Sequence, residues 1–206
     1  MLTKLDLKQE LKALYQPSTK VFALIDVPPM QFLMIDGKGN PNTAEEYKLA
    51  VQALYTTAYT LKFAIKKAEQ IDYPVMPLEG LWWADDMRQF SVERKDEWLW
   101  TMMIMQPDIV TPDHFAAARE EIKRKGKDSA AMERLRLETF HEGLSVQIMH
   151  IGPYADEAPT LAKLHHDFIP SQGYTMRGKH HEIYLSDPSR TPEAKWKTVL
   201  RQPVER

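Results

Sequence analysis

Hydrophobic and polar residues alternate with two different periods along the chain, and together they predict a mixture of helices and strands. Apolar residues at helical spacing predict a short helix over residues 3–15 and a long helix over residues 43–70, capped by Asn42 or Thr43. A further helix is predicted to begin at Thr111-Pro112, because proline is favoured at the first helical position.

Strand-like runs and helices follow the same order in two halves of the chain. The first half contains strand 31–36, helix 43–70 and strands 75–84 and 97–106, and the second contains strand 144–151, helix 157–168 and strands 179–186 and 196–203. We therefore expect a single domain over 1–206, built from two β-α-β-β pseudo-repeats at about 20–107 and 144–205. The predicted fold is α+β, with one antiparallel sheet, helices on one face and a central groove.

Composition excludes several classes of protein. The 206 residues are 43% hydrophobic and 27% charged, which is enough to bury a core and stay soluble. The net charge of −2 gives no basic excess for nucleic acid, and without cysteine there are no disulfides or thiolate metal sites. The densely charged run at 123–138 is interpreted as a solvated surface. The chain has no signal-peptide pattern and no apolar run of about 18 residues, so we expect a cytoplasmic protein without membrane contact.

A glutamate in the middle of a predicted strand is the main candidate for chemistry. In residues 179–188, strict alternation places Glu182 and Tyr184 on one face and Ile183 and Leu185 on the other. A charge is costly to bury and glutamate is a poor strand former. Glu182 is therefore either an exposed charge on an edge strand or a carboxylate facing a cavity, where it would hold a cation or move a proton.

Aromatic residues are concentrated in the first half. The strands at 75–84 and 97–106, joined by a polar turn over residues 85–96, form a hairpin that holds four of the five tryptophans: Trp82, Trp83, Trp98 and Trp100. A large aromatic core is one explanation, but tryptophans on both faces of one hairpin exceed what one core face needs, so we expect an aromatic-walled site for a flat or cationic ligand. On the long helix, Tyr55 and Tyr59 are candidates to face a pocket, since a buried phenol needs a hydrogen-bond partner.

Metal and cofactor chemistry find little support in the sequence. The two clusters of histidine with acid are His165-His166-Asp167 and His180-His181-Glu182. Neighbours on a strand face opposite ways, so neither run supplies three ligands by itself. There is also no GxSxG nucleophile motif. We therefore predict neither a metal site nor a cofactor.

Three motifs, in order, resemble the GyrI-like small-molecule-binding family, which is related to the SOUL haem-binding fold. They are Pro77-Leu78-Glu79-Gly80-Leu81-Trp82, Ile151-Gly152-Pro153-Tyr154 and the run from Glu182 to Pro188. Together with the β-α-β-β pair, the resemblance covers about residues 20–205. It implies a strand glutamate ringed by aromatics that binds lipophilic cations, and Glu182 is the matching position. The family's transcription regulators carry a DNA-binding domain, whereas we expect none in residues 1–20, which show no helix-turn-helix pattern.

The resemblance is stronger to a stand-alone branch that includes hydrolases of cyclopropane-bearing, DNA-alkylating natural products. It implies that Glu182 acts as general base or proton shuttle and that Tyr154 or Tyr55 donates to a developing oxyanion. The residues expected to bind the ligand are Trp82, Trp100, Tyr55, Tyr59, Tyr184 and Glu79. The expected function is binding and hydrolysis of a flat hydrophobic or cationic toxin, giving detoxification. The alternatives are a non-catalytic protein that sequesters or senses drugs, and an inhibitor-type protein that binds a protein partner.

Overall fold

The computed structural model of the protein describes residues 1–85 and 92–206. The strands in these ranges are β1 (Thr3–Lys4), β2 (Ala23–Val27), β3 (Met30–Lys38), β4 (Ile71–Asp72), β5 (Leu78–Trp83), β6 (Leu99–Gln106), β7 (Arg136–Phe140), β8 (Gly143–Ile151), β9 (Thr175–Met176), β10 (His180–Tyr184) and β11 (Lys197–Glu205). The α-helices there are α1 (Leu7–Glu10), α2 (Lys12–Tyr15), α3 (Glu45–Glu69), α4 (Pro112–Arg124), α5 (Ala130–Arg134), α6 (Ala158–Ala162) and α7 (Ile169–Ser171). A π-helix, Lys163–Phe168, joins α6 to α7, and 3₁₀ helices lie at Val92–Glu97, Tyr154–Asp156 and Glu193–Lys195.

The predicted α+β class with an antiparallel sheet is confirmed. Within the described ranges, the sheet contains nine strands, β2, β3 and β5 to β11. The chain forms two compact units: unit 1 is Met1–Glu10, Met30–Leu78 and Trp82–Phe140, and unit 2 is Leu11–Pro29, Glu79–Leu81 and His141–Arg206. Residues 86–91 of the predicted hairpin turn, including Asp86, lie outside the described ranges. None of the described helices is long and apolar enough to cross a membrane.

Unit 1 is built around β3 and α3. Strand β3 pairs antiparallel with β6 on one side and with β7 on the other, and α3 packs on β3 and β6. The buried stripe of α3 includes Leu54, Leu61 and Ile65, as helical spacing predicts. The predicted caps of this helix are wrong, because α3 begins at Glu45 and no side chain caps its first turn. The predicted start of α4 is confirmed, since Thr111 accepts a hydrogen bond from the backbone of His114.

Unit 2 places a helical layer on one face of its strands. The strand order is β2-β8-β11-β10, with β9 beside the end of β11. Leu164 and Ile169 from the helical layer pack with Val146 and Val204 from the sheet. The predicted single helix 157–168 is wrong in detail, because α6, the π-helix and α7 together extend to Ser171.

The β-α-β-β order predicted from the sequence occurs in both halves. In the first half of the chain the neighbours are β5-β6-β3, and in the second half they are β10-β11-β8, so each half has the order third, fourth, first. The assignment of one domain over 1–206 with pseudo-repeats stays a prediction.

Each unit also contains one strand that, in the chain, directly precedes the repeat of the other unit. Strand β2 precedes β3 in the chain but pairs with β8, and β7 precedes β8 but pairs with β3. The charged residues of the run 123–138 are nearly all exposed, as the interpretation of a solvated surface holds, while Ala131, Met132 and Leu135 of the same run are buried. Helix α5 and the first residues of β7 lie in this run. The predicted helix over residues 3–15 is two short helices, α1 and α2.

Candidate active site

Strand β10 sends its polar side chains to two faces of the sheet in unit 2. His180, Glu182 and Tyr184 share one face, and His181 and Ile183 share the other, because successive residues of a strand point in opposite directions. The two faces therefore give neighbouring residues different surroundings.

Strand β11 adds a hydroxyl to the face that carries Glu182. In the antiparallel register Tyr184 lies opposite Thr198, and Glu182 lies opposite Leu200. Residues directly opposite each other point to the same side of a sheet. We call the surface formed by His180, Glu182, Tyr184 and Thr198 the Glu182 face.

Glu182 is oriented by its neighbours on this face. The hydroxyl of Tyr184 donates a hydrogen bond of 2.7 Å to Oε2 of Glu182, so the predicted meeting of this carboxylate and phenol is confirmed. Nε2 of His180 lies 3.3 Å from Oε1 of Glu182. The Glu182 side chain is 17% exposed, so part of it reaches solvent.

A second carboxyl group, that of Glu157, lies close enough to Glu182 for the two charges to interact. Glu157 follows the 3₁₀ helix Tyr154–Asp156, directly precedes α6 and is 4% exposed. Burial, followed by the negative charge of Glu182, raises the pKa of Glu157 to about 9. Glu157 is therefore protonated at neutral pH.

Two histidines complete the polar part of the site. His180 lies beside Glu182, and its ring centroid is 6.1 Å from that of His165 on the π-helix. Burial, followed by the charges of His180 and His166, lowers the pKa of His165 to about 4. His165 is therefore neutral at pH 7.

Unpaired polar atoms are concentrated at this place. Among buried side-chain atoms in the described ranges, those without a hydrogen-bond partner include Oε1 of Glu157, Nε2 of His165 and Nδ1 of His180. Native proteins pair nearly all buried polar groups. The cluster is thus equipped to bind polar atoms of a ligand or water.

An aromatic cluster borders Glu182 and reaches solvent. The ring of Tyr154 packs against Tyr184, with centroids 5.6 Å apart, and against Trp196, with centroids 4.8 Å apart. Tyr154 is 39% exposed. Because Tyr184 belongs both to this cluster and to the Glu182 hydrogen bond, an aromatic ligand on the cluster would lie next to the carboxylate.

The opposite face of β10 carries a buried ionic network. His181 lies between Glu79, whose Oε2 is 2.9 Å from Nε2, and Glu142, whose carboxylate oxygens are both 3.0 Å from Nδ1. Arg201 donates to Glu142 at 3.0 Å, and the hydroxyl of Tyr15 donates to Glu79 at 2.6 Å. All five side chains are at most 5% exposed.

Opposite charges inside this network outweigh burial. Burial alone lowers the pKa of His181, but the charge of Glu142 and hydrogen bonds to Glu142 and Glu79 raise it to about 9. Burial alone raises the pKa of Glu142, but the charges of His181 and Arg201 lower it to about 2. The network is closed to solvent, so Glu79 lies away from the Glu182 face.

Unit 1 holds the predicted tryptophans in its interior. Trp82 and Trp100 are 3% and 0% exposed. The ring of Trp82 packs against Tyr47 and Trp98, at centroid distances of 6.1 and 5.5 Å, and Tyr47 also meets the edge of Trp100. Trp82 and Trp100 thus lie in the core of unit 1, which agrees with the explanation of a large aromatic core.

The two predicted tyrosines of α3 lie on its outer surface. Tyr55 stacks on Tyr59 at 6.4 Å, and Tyr59 stacks on Phe63 at 6.2 Å. Tyr59 is 48% exposed and Phe63 58%. The ligand-binding roles of Trp82, Trp100 and these tyrosines stay predictions.

The structure thus brings together Glu182, Tyr184 and Tyr154 from the predicted set, all in unit 2. Sequence reasoning missed Glu157 and Trp196 as partners of these residues. Neither residue had a local signal in the sequence, because Glu157 and Trp196 lie outside β10 and only the fold brings them to Glu182 and Tyr154.

The two histidine clusters do approach each other through His165 and His180. Nevertheless, within residues 1–85 and 92–206 no group of three or more histidine and acid side chains could hold a metal ion.

Fold and site together define a small-molecule-binding domain with an acidic and aromatic site. Residues 22–205 match the GyrI-like small molecule binding domain. The chain belongs to this GyrI-like family, which confirms the resemblance seen in the sequence.

Solved structures give the same result. A conserved protein from Listeria innocua is 42% identical, with a TM-score of 0.89 over 98% of this chain and 100% of that one. Two structures described as hydrolases from the same organism are 40% identical, with TM-scores of 0.83 and 0.86; they cover 98% and 100% of this chain and 100% of their own. A comparison with curated proteins gives no match.

Proposed function

We propose that the protein binds a flat, hydrophobic small molecule against Tyr154 and Trp196 and hydrolyses it beside Glu182. The observation that carries this proposal is the partly exposed carboxylate of Glu182, bordered by the aromatic cluster and by the unpaired polar atoms of the same face. The 40% identity with two structures described as hydrolases supports a hydrolytic reaction.

The substrate class we propose is a compound with a cyclopropane ring conjugated to a carbonyl group, as in DNA-alkylating toxins. Opening this ring with water converts its electrophilic carbon into an alcohol that no longer alkylates DNA, so the reaction would detoxify the compound. Strain in the three-membered ring supplies much of the driving force, and a modest catalyst therefore suffices. The planar conjugated system suits a site walled by tyrosine and tryptophan rings.

In this reaction Glu182 is the general base. It takes a proton from water, whose oxygen forms a bond to the least hindered cyclopropane carbon while a ring carbon–carbon bond breaks. The released electron pair moves through the conjugated system to the carbonyl oxygen, where Tyr154 stabilises the developing negative charge. The hydrogen bond from Tyr184 keeps the Glu182 carboxylate in position.

Substitution of the base tests this proposal. Glu182→Gln preserves the shape of the side chain but removes proton transfer, and turnover of a cyclopropane substrate should fall by about 10²–10⁴-fold. The matched control is Glu205→Gln, an exposed carboxylate on β11 of the same sheet, which should keep full turnover. Full turnover by Glu182→Gln would exclude Glu182 as the base.

Substitution of the wall tests where the ligand lies. Trp196→Ala should weaken binding by at least about 1 kcal/mol, as expected for a lost stacking surface. The same measurement on Trp82→Ala tests the ligand contact predicted from the sequence. Quenching of tryptophan emission by a planar ligand reports both affinities.

Binding without turnover is the second candidate function, and the observation that favours it is the carboxylate beside aromatic rings, which also suits a lipophilic cation. A sequestering protein would remove free compound only stoichiometrically and release no product. In that case Glu182→Gln should weaken binding of a cationic ligand and leave binding of a neutral one nearly unchanged.

A further inference from the structure

Glu157 is a buried carboxylic acid that has no role in the reaction proposed above. Its side chain is 4% exposed, and its Oε1 has no hydrogen-bond partner in the described residues. Two groups act on it directly: the charge of Glu182 on β10 raises its pKa, and a hydrogen bond with Thr198 on β11 opposes that shift. Further out, His150 on β8 lies opposite Thr198, and His180 on β10 lies beside both Glu182 and His165 of the π-helix.

These surroundings favour the neutral acid. Burial removes the water that would stabilise a carboxylate, and the nearest charge is the negative charge of Glu182. His165, one of the basic residues of the helical layer, is itself buried and held neutral by a lowered pKa. The proton of Glu157 is therefore available to a ligand at neutral pH.

We propose that Glu157 is the proton donor of the site, giving its carboxylic proton to the carbonyl oxygen of the substrate while Glu182 takes a proton from water. This inference rests on the proposed function and adds a catalytic residue to it. Tyr154 then orients the carbonyl group, and the proton from Glu157 neutralises the negative charge that develops on its oxygen.

The proton balance of the pair closes after each turnover. Water gives one proton to Glu182 and its oxygen to the ring carbon, the carbon–carbon bond breaks, and the carbonyl oxygen takes the proton of Glu157 to become a phenol. Glu157 is then a carboxylate and Glu182 a carboxylic acid. Transfer of one proton from Glu182 to Glu157 restores both groups, and the net reaction consumes only water.

A pair of substrates tests the donor role. Glu157→Gln should lower turnover by about 10²-fold for a substrate whose product is an ordinary phenol. The loss should be less than about 10-fold when a nitro group makes the product phenol more acidic, because that oxygen needs less help from an acid. A purely structural role of Glu157 would lower both rates equally, and that result would overturn the inference. The matched control is Asp156→Asn, an exposed neighbour in the same turn, which should leave both rates unchanged.

Infrared spectroscopy separates this inference from the proposed function. The wild-type protein at pH 7 should show the carbonyl stretch of a protonated carboxyl group, lost in Glu157→Gln and kept in Asp156→Asn. Absence of this band in the wild type would overturn the donor role whatever the activity. A band without any turnover would instead refute the proposed hydrolysis, with Glu157 left as a protonated hydrogen-bond donor in a binding site.

Discussion

His181 keeps its charge inside unit 2 because carboxylates lie on both sides of its ring. Buried ionic groups are costly by themselves, and their mutual attraction compensates only when the geometry is good and no charge is left unpaired. In the network, His181 and Arg201 balance Glu79 and Glu142, and each pair has contacts of 2.9–3.0 Å. Removing one member should therefore lower the free energy of unfolding by more than the whole pair contributes, because it leaves a buried charge without a partner.

Glu142→Gln should lower the free energy of unfolding by about 3–5 kcal/mol, because it leaves His181 and Arg201 without their shared counter-charge. Urea unfolding at pH 7 measures the difference. The control is Glu138→Gln, which breaks the exposed pair with Arg136 and should cost no more than about 1 kcal/mol. Equal effects of the two substitutions would contradict this account of the network.

Alkaline pH should destabilise the protein through two groups. The pKa of His181 is raised to about 9, so its contribution to stability is complete below the unfolded value of about 6.5 and is lost as pH rises through 9. The pKa of Glu157 is also raised to about 9, so its contribution is complete below about pH 4.5 and is likewise lost as pH rises through 9.

Glu157→Gln removes the second of these contributions. Between pH 5 and 9 the variant should therefore lose less unfolding free energy than the wild type, by at least about 1 kcal/mol, the equivalent of one pKa unit. Urea unfolding across this range measures both slopes. Parallel curves would mean that Glu157 is ionised in the folded protein at neutral pH.

Strands β3 and β6 depend on one glycine for their packing. Their register places Gly37 directly opposite Trp100, and a Cβ atom at Gly37 would lie 2.1 Å from the indole ring. Trp100 is fully buried, so its ring has no free space to move into. Glycine allows the large ring to lie flat on its partner strand.

Gly37→Ala should therefore destabilise the protein by about 1–3 kcal/mol, the usual cost of overpacking a core. Thermal or urea unfolding measures the loss. A second variant separates the clash from any backbone effect of alanine: in the Trp100→Leu background, Gly37→Ala should cost much less, since the ring is gone. An unchanged cost in that background would place its cause in the backbone.

Elements with a strong period were predictable from the sequence. The stripe of α3, the Thr111-Pro112 start of α4 and the alternation of β10 each follow from local spacing. Strand β7 was not predictable, because Arg136 and Glu138 make its sequence resemble a charged surface segment. It forms a strand by pairing with β3, which lies about 100 positions earlier in the chain. The π-helix also lacks a local signal, since tertiary packing decides its wider turn.

The candidate site was predictable only where it depends on one strand. Alternation within β10 places Glu182 beside Tyr184, and the structure confirms their contact. Glu157 comes to Glu182 from another element, so no spacing rule could have joined them. Glu79 was predicted to bind the ligand because of its motif. Its actual hydrogen-bond partners, Tyr15 and His181, are 64 and 102 positions away in the chain, so local sequence could not reveal them.

Unit 2 depends on the first part of the chain. Strand β2 covers the edge of β8, Tyr15 donates to Glu79, and Arg201 donates to the carbonyl of Leu14 at 2.7 Å. Residues 141–206 alone lack all three contacts, although they contain the Glu182 face.

Deletion of residues 1–29 should therefore abolish slow hydrogen exchange in β8 and β10, because an edge is exposed and the ionic network loses two partners. Hydrogen exchange followed by mass spectrometry measures this protection. Deletion of residues 1–4 removes only β1, which pairs with β4 in unit 1, and should leave β8 and β10 protected. Persistent protection after the longer deletion would show that β2 is dispensable for unit 2.

The exchange of β2 and β7 also bears on ancestry. A chain of half this length, with one leading strand and one β-α-β-β repeat, could not pair that strand as it is paired here, since the partner belongs to the other repeat. Two such chains would reproduce the pairing only by trading their leading strands, as domain-swapped dimers do. Fusion of two copies of a gene for such a dimer would then join both halves in one polypeptide while leaving every strand with the neighbour it already had.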